Sequence, residues 1–200
     1  MTAFGRQIEN VMVTASLRIF DIFLSIVGLL LAMPLMLLVL LLCMVDTGRP
    51  IFLQERVGRN KDLFILLKFR TMAPSTPSVA THLVSAHTIT PLGRFLRRAK
   101  LDELPQPWNV LKGEMSLVGP RPGLASQHDL TAARERFDVF SVRPGITGLA
   151  QVSGIDMSTP ELLAQTDAKM ITDMSVGNYF RYLLLTIMGK GGGDRIQKND

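Results

Sequence analysis

Two adjacent carboxylates, Asp102 and Glu103, follow a cluster of four cations, Arg94, Arg97, Arg98 and Lys100. An acid pair beside concentrated positive charge suits work on an anionic substrate. Phosphoryl transfer is the closest match, because its catalysis is mostly positioning and neutralisation of phosphate charge by cations and metal, and a carboxylate can act as nucleophile. The local pattern predicts a helix just after the pair, with Pro105 in its first turn and Trp108-Asn109-Val110-Leu111 continuing it. That would set the acids at the positive end of a helix dipole. An acid at a helix start also serves as a simple cap, so the dyad alone leaves both readings open. The three histidines, His82, His87 and His128, lack paired metal-ligand spacing and read as loop or surface residues. There is no Walker-type loop and no G-x-G-x-x-G fingerprint, which removes the two commonest nucleotide-binding patterns.

The elements that must position the dyad begin with a membrane segment. Ile22 to Val45 carries no charge and only Ser25 as a hydroxyl. As a straight helix it would reach ~36 Å, enough for a hydrocarbon core of ~30 Å. Pro34 lies in the middle of the run and predicts a kink, with Gly28 adding local freedom. Basic residues stand on both sides, Arg6 and Arg18 before it and Arg49, Arg56, Arg59, Lys61, Lys68 and Arg70 after it. Charge therefore leaves two topologies open: a re-entrant helix returning to one face, or a span with the larger basic excess inside. Both place the rest of the chain in the cytoplasm. A secretory signal fits poorly, since the run is too long for such a core and no small-residue cleavage site follows it.

Residues 1–21 have Ile8, Val11, Met12, Ala15, Ile19 and Phe20 at helical spacing and read as an amphipathic lead-in on the membrane surface. After the run, Ile51 to Leu53 and Leu63 to Lys68 flank Gly58-Arg59-Asn60 and predict a β-hairpin. Pro74 to Ala86 reads as a loop, and Thr90-Pro91 opens a basic helix over Arg94 to Lys100. The dyad helix should stop near Lys112-Gly113, followed by an extended Ser116 to Pro122. A charged helix is predicted over Thr131 to Phe140, a turn into a strand ending near Val152, a helix over Pro160 to Met174 and an apolar helix over Tyr179 to Met188. Gly189 to Asp200 reads as a flexible tail. The resulting division is 1–46 for the membrane-associated part, 47–188 for a cytoplasmic catalytic domain and 189–200 for the tail.

Arg6, Glu9, Arg18 and Asp21 are the only charges before the run, so the remainder carries the whole net charge of +5. Such a surface favours anionic headgroups and phosphorylated ligands. Nucleic acid has no support: aromatic content is 6%, with no zinc-finger spacing and no RNP-like run. The single cysteine, Cys43, can form no internal disulfide, in keeping with a reducing compartment.

Several segments taken together resemble the bacterial sugar transferases, the small monotopic phosphoglycosyltransferases that act on polyprenyl phosphate. They are Lys68-Phe69-Arg70-Thr71-Met72, Leu101-Asp102-Glu103-Leu104-Pro105-Gln106, Trp108 to Ser116, Val118-Gly119-Pro120-Arg121-Pro122 and Val142 to Gly154. Order and spacing match as well, from about Arg18 to Val152. The resemblance implies an α+β fold: a kinked re-entrant membrane helix, then a small, mainly helical cytoplasmic domain with a short β-hairpin and amphipathic interfacial helices. It implies transfer of a sugar 1-phosphate from a UDP-sugar to undecaprenyl phosphate with release of UMP, at the bacterial inner membrane, beginning a surface glycan.

By the same resemblance, Asp102 is the nucleophile that forms a phosphosugar-aspartyl intermediate, Glu103 assists, and the pair orients Mg²⁺. Lys68, Arg97, Arg121 and, more weakly matched, Arg143 are assigned to phosphate or nucleotide, and Arg94 and Arg98 to lipid headgroups. Met33-Pro34 stands where the family carries Ser-Pro at the membrane bend, Pro107 where leucine is common, and Lys61-Asp62 where a second hairpin glycine is frequent. Asp167-Ala168-Lys169-Met170 and Asp173 depart from the family pattern and receive no catalytic role. A non-catalytic basic membrane adaptor, or a phosphohydrolase with water as acceptor, are the alternatives; the intact dyad and Arg97 weigh against the first.

Overall fold

The computed structural model describes residues 3–76 and 88–191, with side chains from Ser16 onward. His82, His87 and most of the loop expected over Pro74 to Ala86 lie outside the described residues, as do 192–200 of the tail.

Helix α1 (Ala3–Thr47) is one uninterrupted element of 45 residues with Pro34 inside it. The expected surface lead-in and the membrane run are thus a single helix, because nothing between them breaks the backbone and Pro34 removes only one N–H from the ladder. Its Ser16–Thr47 stretch is long and apolar enough to cross a membrane. Both ends of that stretch dock on the rest of the protein. Near the start, Leu17, Phe20 and Leu24 pack on a cluster containing Val118, Met170, Tyr179 and Tyr182. Near the end, Val39 and Cys43 are buried with Phe69 and Leu96. Between them, Ser25 is buried and most of the side chains that follow face outward, Leu31 being 78% exposed.

The polar contacts of α1 explain why the docking is specific. Asp21 is buried, and its Oδ1 accepts from Ser116 Oγ (3.0 Å), the Leu117 amide (2.9 Å) and the Tyr179 hydroxyl (2.8 Å). Arg18 Nη2 donates to the Val110 carbonyl at 2.7 Å and Nη1 to that of Met115 at 3.3 Å. At the other end Thr90 Oγ1 donates to Asp46 at 2.7 Å.

The predicted hairpin is β1 (Ile51–Val57) and β2 (Leu63–Phe69), antiparallel, with Phe52 opposite Lys68. Asn60 and Lys61 take positive φ in its turn. The basic helix is α2 (Pro91–Arg98), capped by Thr90, whose hydroxyl accepts from the Gly93 amide. Gly93 packs so closely that a Cβ there would lie 2.0 Å from the Thr71 carbonyl oxygen.

The dyad is not where a helix dipole would favour it. Leu101–Glu103 forms a single 3-10 turn, and the following helix α3 (Pro107–Lys112) has only six residues. Pro107, not Pro105, takes its first turn, which moves the helix start away from the acids. The buried Asn109 ties α3 to β2: its amide donates to the Ile65 carbonyl (2.7 Å) and its oxygen accepts from the Leu67 amide (3.1 Å).

Strand β3 (Ser116–Val118) pairs in parallel with β4 (Gly145–Thr147). The chains meet at Gly119 and Gly145, where a Cβ on Gly145 would sit 2.0 Å from the Gly119 nitrogen. Between them, α4 (His128–Arg136) starts earlier than expected and stops where Asp138 adopts positive φ. Leu149–Val152 is a short helix, α5, where the sequence suggested strand. Helices α6 (Pro160–Thr172) and α7 (Val176–Ile187) complete the chain, the latter capped by Ser175.

Candidate active site

A cavity of about 300 Å³ opens where the hairpin, α2, the dyad turn and the end of α7 converge. Leu101 and Leu104, on either side of the dyad, pack against the buried cluster of Val39, Cys43, Phe69 and Leu96, to which α1 contributes two members. Asp102 is 6% exposed and still lines the cavity. No protein hydrogen bond to its carboxylate is present among the described residues. Glu103 is held instead: Arg121 Nη2 lies 2.6 Å and Lys68 Nζ 3.7 Å from its Oε1.

Among the described residues, five cations line the cavity, Lys68, Arg97, Lys100, Arg121 and Lys190, against two carboxylates. Lys68 comes from β2. Arg97 comes from α2, one turn beyond Gly93, and its Nε donates to Thr71 Oγ1 at 2.8 Å. Lys100 adopts positive φ, and its Nζ donates to the Lys190 carbonyl at 3.0 Å. Arg121 sits on the loop after β3. On the opposite wall, Thr147 Oγ1 and Thr186 Oγ1 are 2.5 Å apart beside Gln151 and Ile146.

Burial pushes the Asp102 carboxyl above the ordinary carboxylate range, and the neighbouring Glu103 charge pushes the same way. Lys68, Arg97 and Arg121 pull it back toward the ionised form. Burial also lowers the Lys100 ammonium from its usual value. The result is a desolvated carboxylate whose charge is tolerated through surrounding cations, with spare positive charge for a polyanion. Such a group can attack an electrophilic phosphorus once the ligand's own charge is neutralised.

The sequence placed Asp102, Glu103, Lys68, Arg97 and Arg121 at one site, and all five line this cavity. Arg143 does not: it is absent from the lining, and its Nε donates to the Gly113 carbonyl at 2.8 Å, behind α3. Sequence reasoning missed Thr147, Gln151, Thr186 and Lys190, which reach the cavity only through the packing of β4, α5 and the end of α7. No local pattern marks them.

The donor set bears on Mg²⁺. Among the described residues no group of three or more His, Cys, Asp or Glu side chains is gathered that could hold a metal. Two adjacent carboxylates fit a cation shared with ligand phosphates, which is how Mg²⁺ is commonly held, and do not make an all-protein cage.

The family model described as bacterial sugar transferase matches residues 12–190. The chain belongs to the bacterial sugar transferase family. It is 36% identical over 189 residues to the UDP-galactose-lipid carrier transferase of Erwinia amylovora, covering 85% of the present chain and 39% of that relative. It is 37% identical over 190 residues to the UDP-glucose:undecaprenyl-phosphate glucose-1-phosphate transferase of Caulobacter vibrioides, covering 92% and 71%. With the undecaprenyl-phosphate galactose phosphotransferase of Salmonella typhimurium it shares 40% identity over 155 residues, covering 68% and 32%. The chain thus spans about two fifths or less of the Erwinia and Salmonella proteins and most of the Caulobacter one.

Proposed function

We propose that this chain transfers a sugar 1-phosphate from a UDP-sugar to undecaprenyl phosphate, releasing UMP and starting a surface glycan. The observation that carries the reading is Asp102, buried, with no hydrogen-bond partner among the described residues, and facing a cavity with a surplus of cations among them. The Caulobacter relative, a UDP-glucose:undecaprenyl-phosphate glucose-1-phosphate transferase, supports both the donor and the acceptor class, and the Salmonella relative, an undecaprenyl-phosphate galactose phosphotransferase, supports the acceptor.

An Asp102 oxygen attacks the phosphorus that carries the sugar. The bond from that phosphorus to the bridging oxygen breaks, and UMP leaves with the electron pair. The phosphate of undecaprenyl phosphate then attacks the same phosphorus and returns Asp102 as a free carboxylate. Lys68, Arg97, Lys100 and Arg121 bind and orient the diphosphate, and Glu103 keeps Lys68 and Arg121 in place while adding to the basicity of Asp102. Asp102 and Glu103 would hold Mg²⁺ together with the donor phosphates, and when bound the ion supplies charge neutralisation for the diphosphate.

The membrane arrangement supports a lipid acceptor. With both ends of its apolar stretch docked on one body, α1 could cross a bilayer only if that charged body lay inside the hydrocarbon. This favours entry and exit by one face, the cytoplasmic one by the basic excess after the run. Exposed Arg94, Phe95 and Arg98 on α2, with Trp108, make a basic and aromatic surface suited to headgroups.

The direct test is UMP release by detergent- or nanodisc-held protein with undecaprenyl phosphate and Mg²⁺, across a panel of UDP-sugars, with Asp102→Asn as control. Release with one sugar, lost in the variant, is expected. Wild-type turnover by Asp102→Asn would remove the nucleophile assignment, and no release with any donor from folded protein would remove the activity. Topology is tested separately with Glu9→Cys and Ser126→Cys in a Cys43→Ala background. Both should resist an impermeant maleimide added outside the cell, and labelling at residue 9 would restore the span.

A further inference from the structure

Four consecutive carbonyls on the loop that presents Arg121 are each held by a different donor. The Pro120 carbonyl accepts from the Gly145 amide at 2.8 Å and the Gly123 carbonyl from the Val57 amide at 3.0 Å. Between them, the Arg121 carbonyl accepts from Arg134 Nη1 and the Pro122 carbonyl from Arg56 Nη1, each at 2.9 Å. Pro120 and Pro122 fix their own φ angles, so the loop has little freedom left.

The two arginines that grip it are themselves gripped. Arg134 is 2% exposed and places Nε and Nη2 at 3.1 Å and 2.7 Å from Oδ2 of Asp167, itself 1% exposed. Arg56, also buried, places Nε and Nη2 at 3.1 Å and 2.6 Å from Oε1 of buried Gln54. Each guanidinium therefore uses two donors on an anchor and a third on the loop, which only the planar fork allows. A buried ion pair such as Arg134–Asp167 is often no more stabilising than an apolar pair of similar volume. Stability alone does not account for its presence; the loop it holds does.

We propose that Arg134, anchored by Asp167, and Arg56, anchored by Gln54, are positioning residues that hold the Arg121 guanidinium on Glu103 beside Asp102. This rests on the phosphotransfer reading of the cavity and extends it to four buried residues outside the cavity lining. Arg134→Lys keeps a cation for Asp167, but one ammonium cannot reproduce the fork. Its kcat should fall by about 10- to 100-fold, more than the donor KM rises, the size of loss expected from a small misplacement of a charged group.

The decisive comparison pairs Arg134→Lys with Arg134→Met/Asp167→Leu, which replaces the buried pair by apolar groups. Three quantities are read on full-length protein in nanodiscs: melting temperature, UMP release, and the rate of phenylglyoxal modification of Arg121 by mass spectrometry. Both variants should melt near or above the wild type, turn over slowly, and label Arg121 several-fold faster. Wild-type kcat and Arg121 labelling in either folded variant would overturn the proposal, as would failure of both to fold, which would make the pair a determinant of the fold. If the wild type itself releases no UMP, the activity reading falls, while the Arg121 labelling still decides the positioning.

Discussion

The Tyr179 hydroxyl donates to Asp21 Oδ1 at 2.8 Å, joining the C-terminal helix to the start of the membrane segment across 158 positions of sequence. Tyr179 is fully buried, and its ring packs edge-on against Phe180. Burial and the Asp21 charge push its hydroxyl far above the usual tyrosine range, so it remains a donor at every working pH. Tyr179→Phe keeps the ring and removes only the bond. It should cost about 1.5–3 kcal/mol, the value of a hydrogen bond to a charged group, read as a drop in melting temperature of the solubilised protein.

Asp102→Asn should raise the melting temperature while reducing UMP release on the order of 10³-fold or more. The folded-state pKa of Asp102 is raised, chiefly by burial, so the folded protein holds this proton more tightly than the unfolded chain. The ionised carboxylate therefore costs stability above the folded pKa, and the cost fades as pH falls through it. The stability gap between variant and wild type should shrink in the same direction, which thermal melts at several pH values would record.

The acid limb of kcat/KM should lie above the ordinary carboxylate range, since Asp102, as the proposed nucleophile, must be ionised. Two substitutions should move it in opposite senses. Glu103→Gln removes a charge that raises the Asp102 pKa and should shift the limb down; Lys68→Met removes one that lowers it and should shift the limb up. Both will be slower, so the limb is read from normalised pH profiles.

Gly93→Ala should weaken both the fold and the site. The new methyl would sit 2.0 Å from the Thr71 carbonyl oxygen, and the helix it pushes away carries Arg97. A cost of about 1–3 kcal/mol is expected, with a higher donor KM. Gly28→Ala is the matched control: its Cβ meets nothing within 4 Å, and melting should not fall.

Much of the cavity was legible because its parts lie in short, dense stretches. Lys68, Arg97, the dyad and Arg121 each sit beside residues whose types constrain the backbone: a strand, a capped basic helix, a Pro-Arg-Pro loop. The hairpin and α2 were readable for the same reason. Two prolines two positions apart, Pro105 and Pro107, each satisfy a helix first turn, and only packing chose the second. Arg143 has the company of Pro144 and Gly145 that suggests an anion site, yet a backbone carbonyl 30 residues away claims its Nε. Arg18 and Asp21 read as flanking charges, because the partners that make them structural lie more than 90 residues downstream.

The delayed partnership of Asp21 bears on how the protein is made. The apolar run leaves the ribosome before the elements it docks on, with an aspartate at its edge whose backbone partner, Leu117, is 96 residues away and whose phenol, Tyr179, follows 158 residues later. During that interval an unsatisfied carboxylate resists being drawn into hydrocarbon, which under the proposed one-face topology would hold the nascent segment shallow. Under that topology the body that satisfies Asp21 would already stand on the same side, and its polar residues would not have to travel through the lipid.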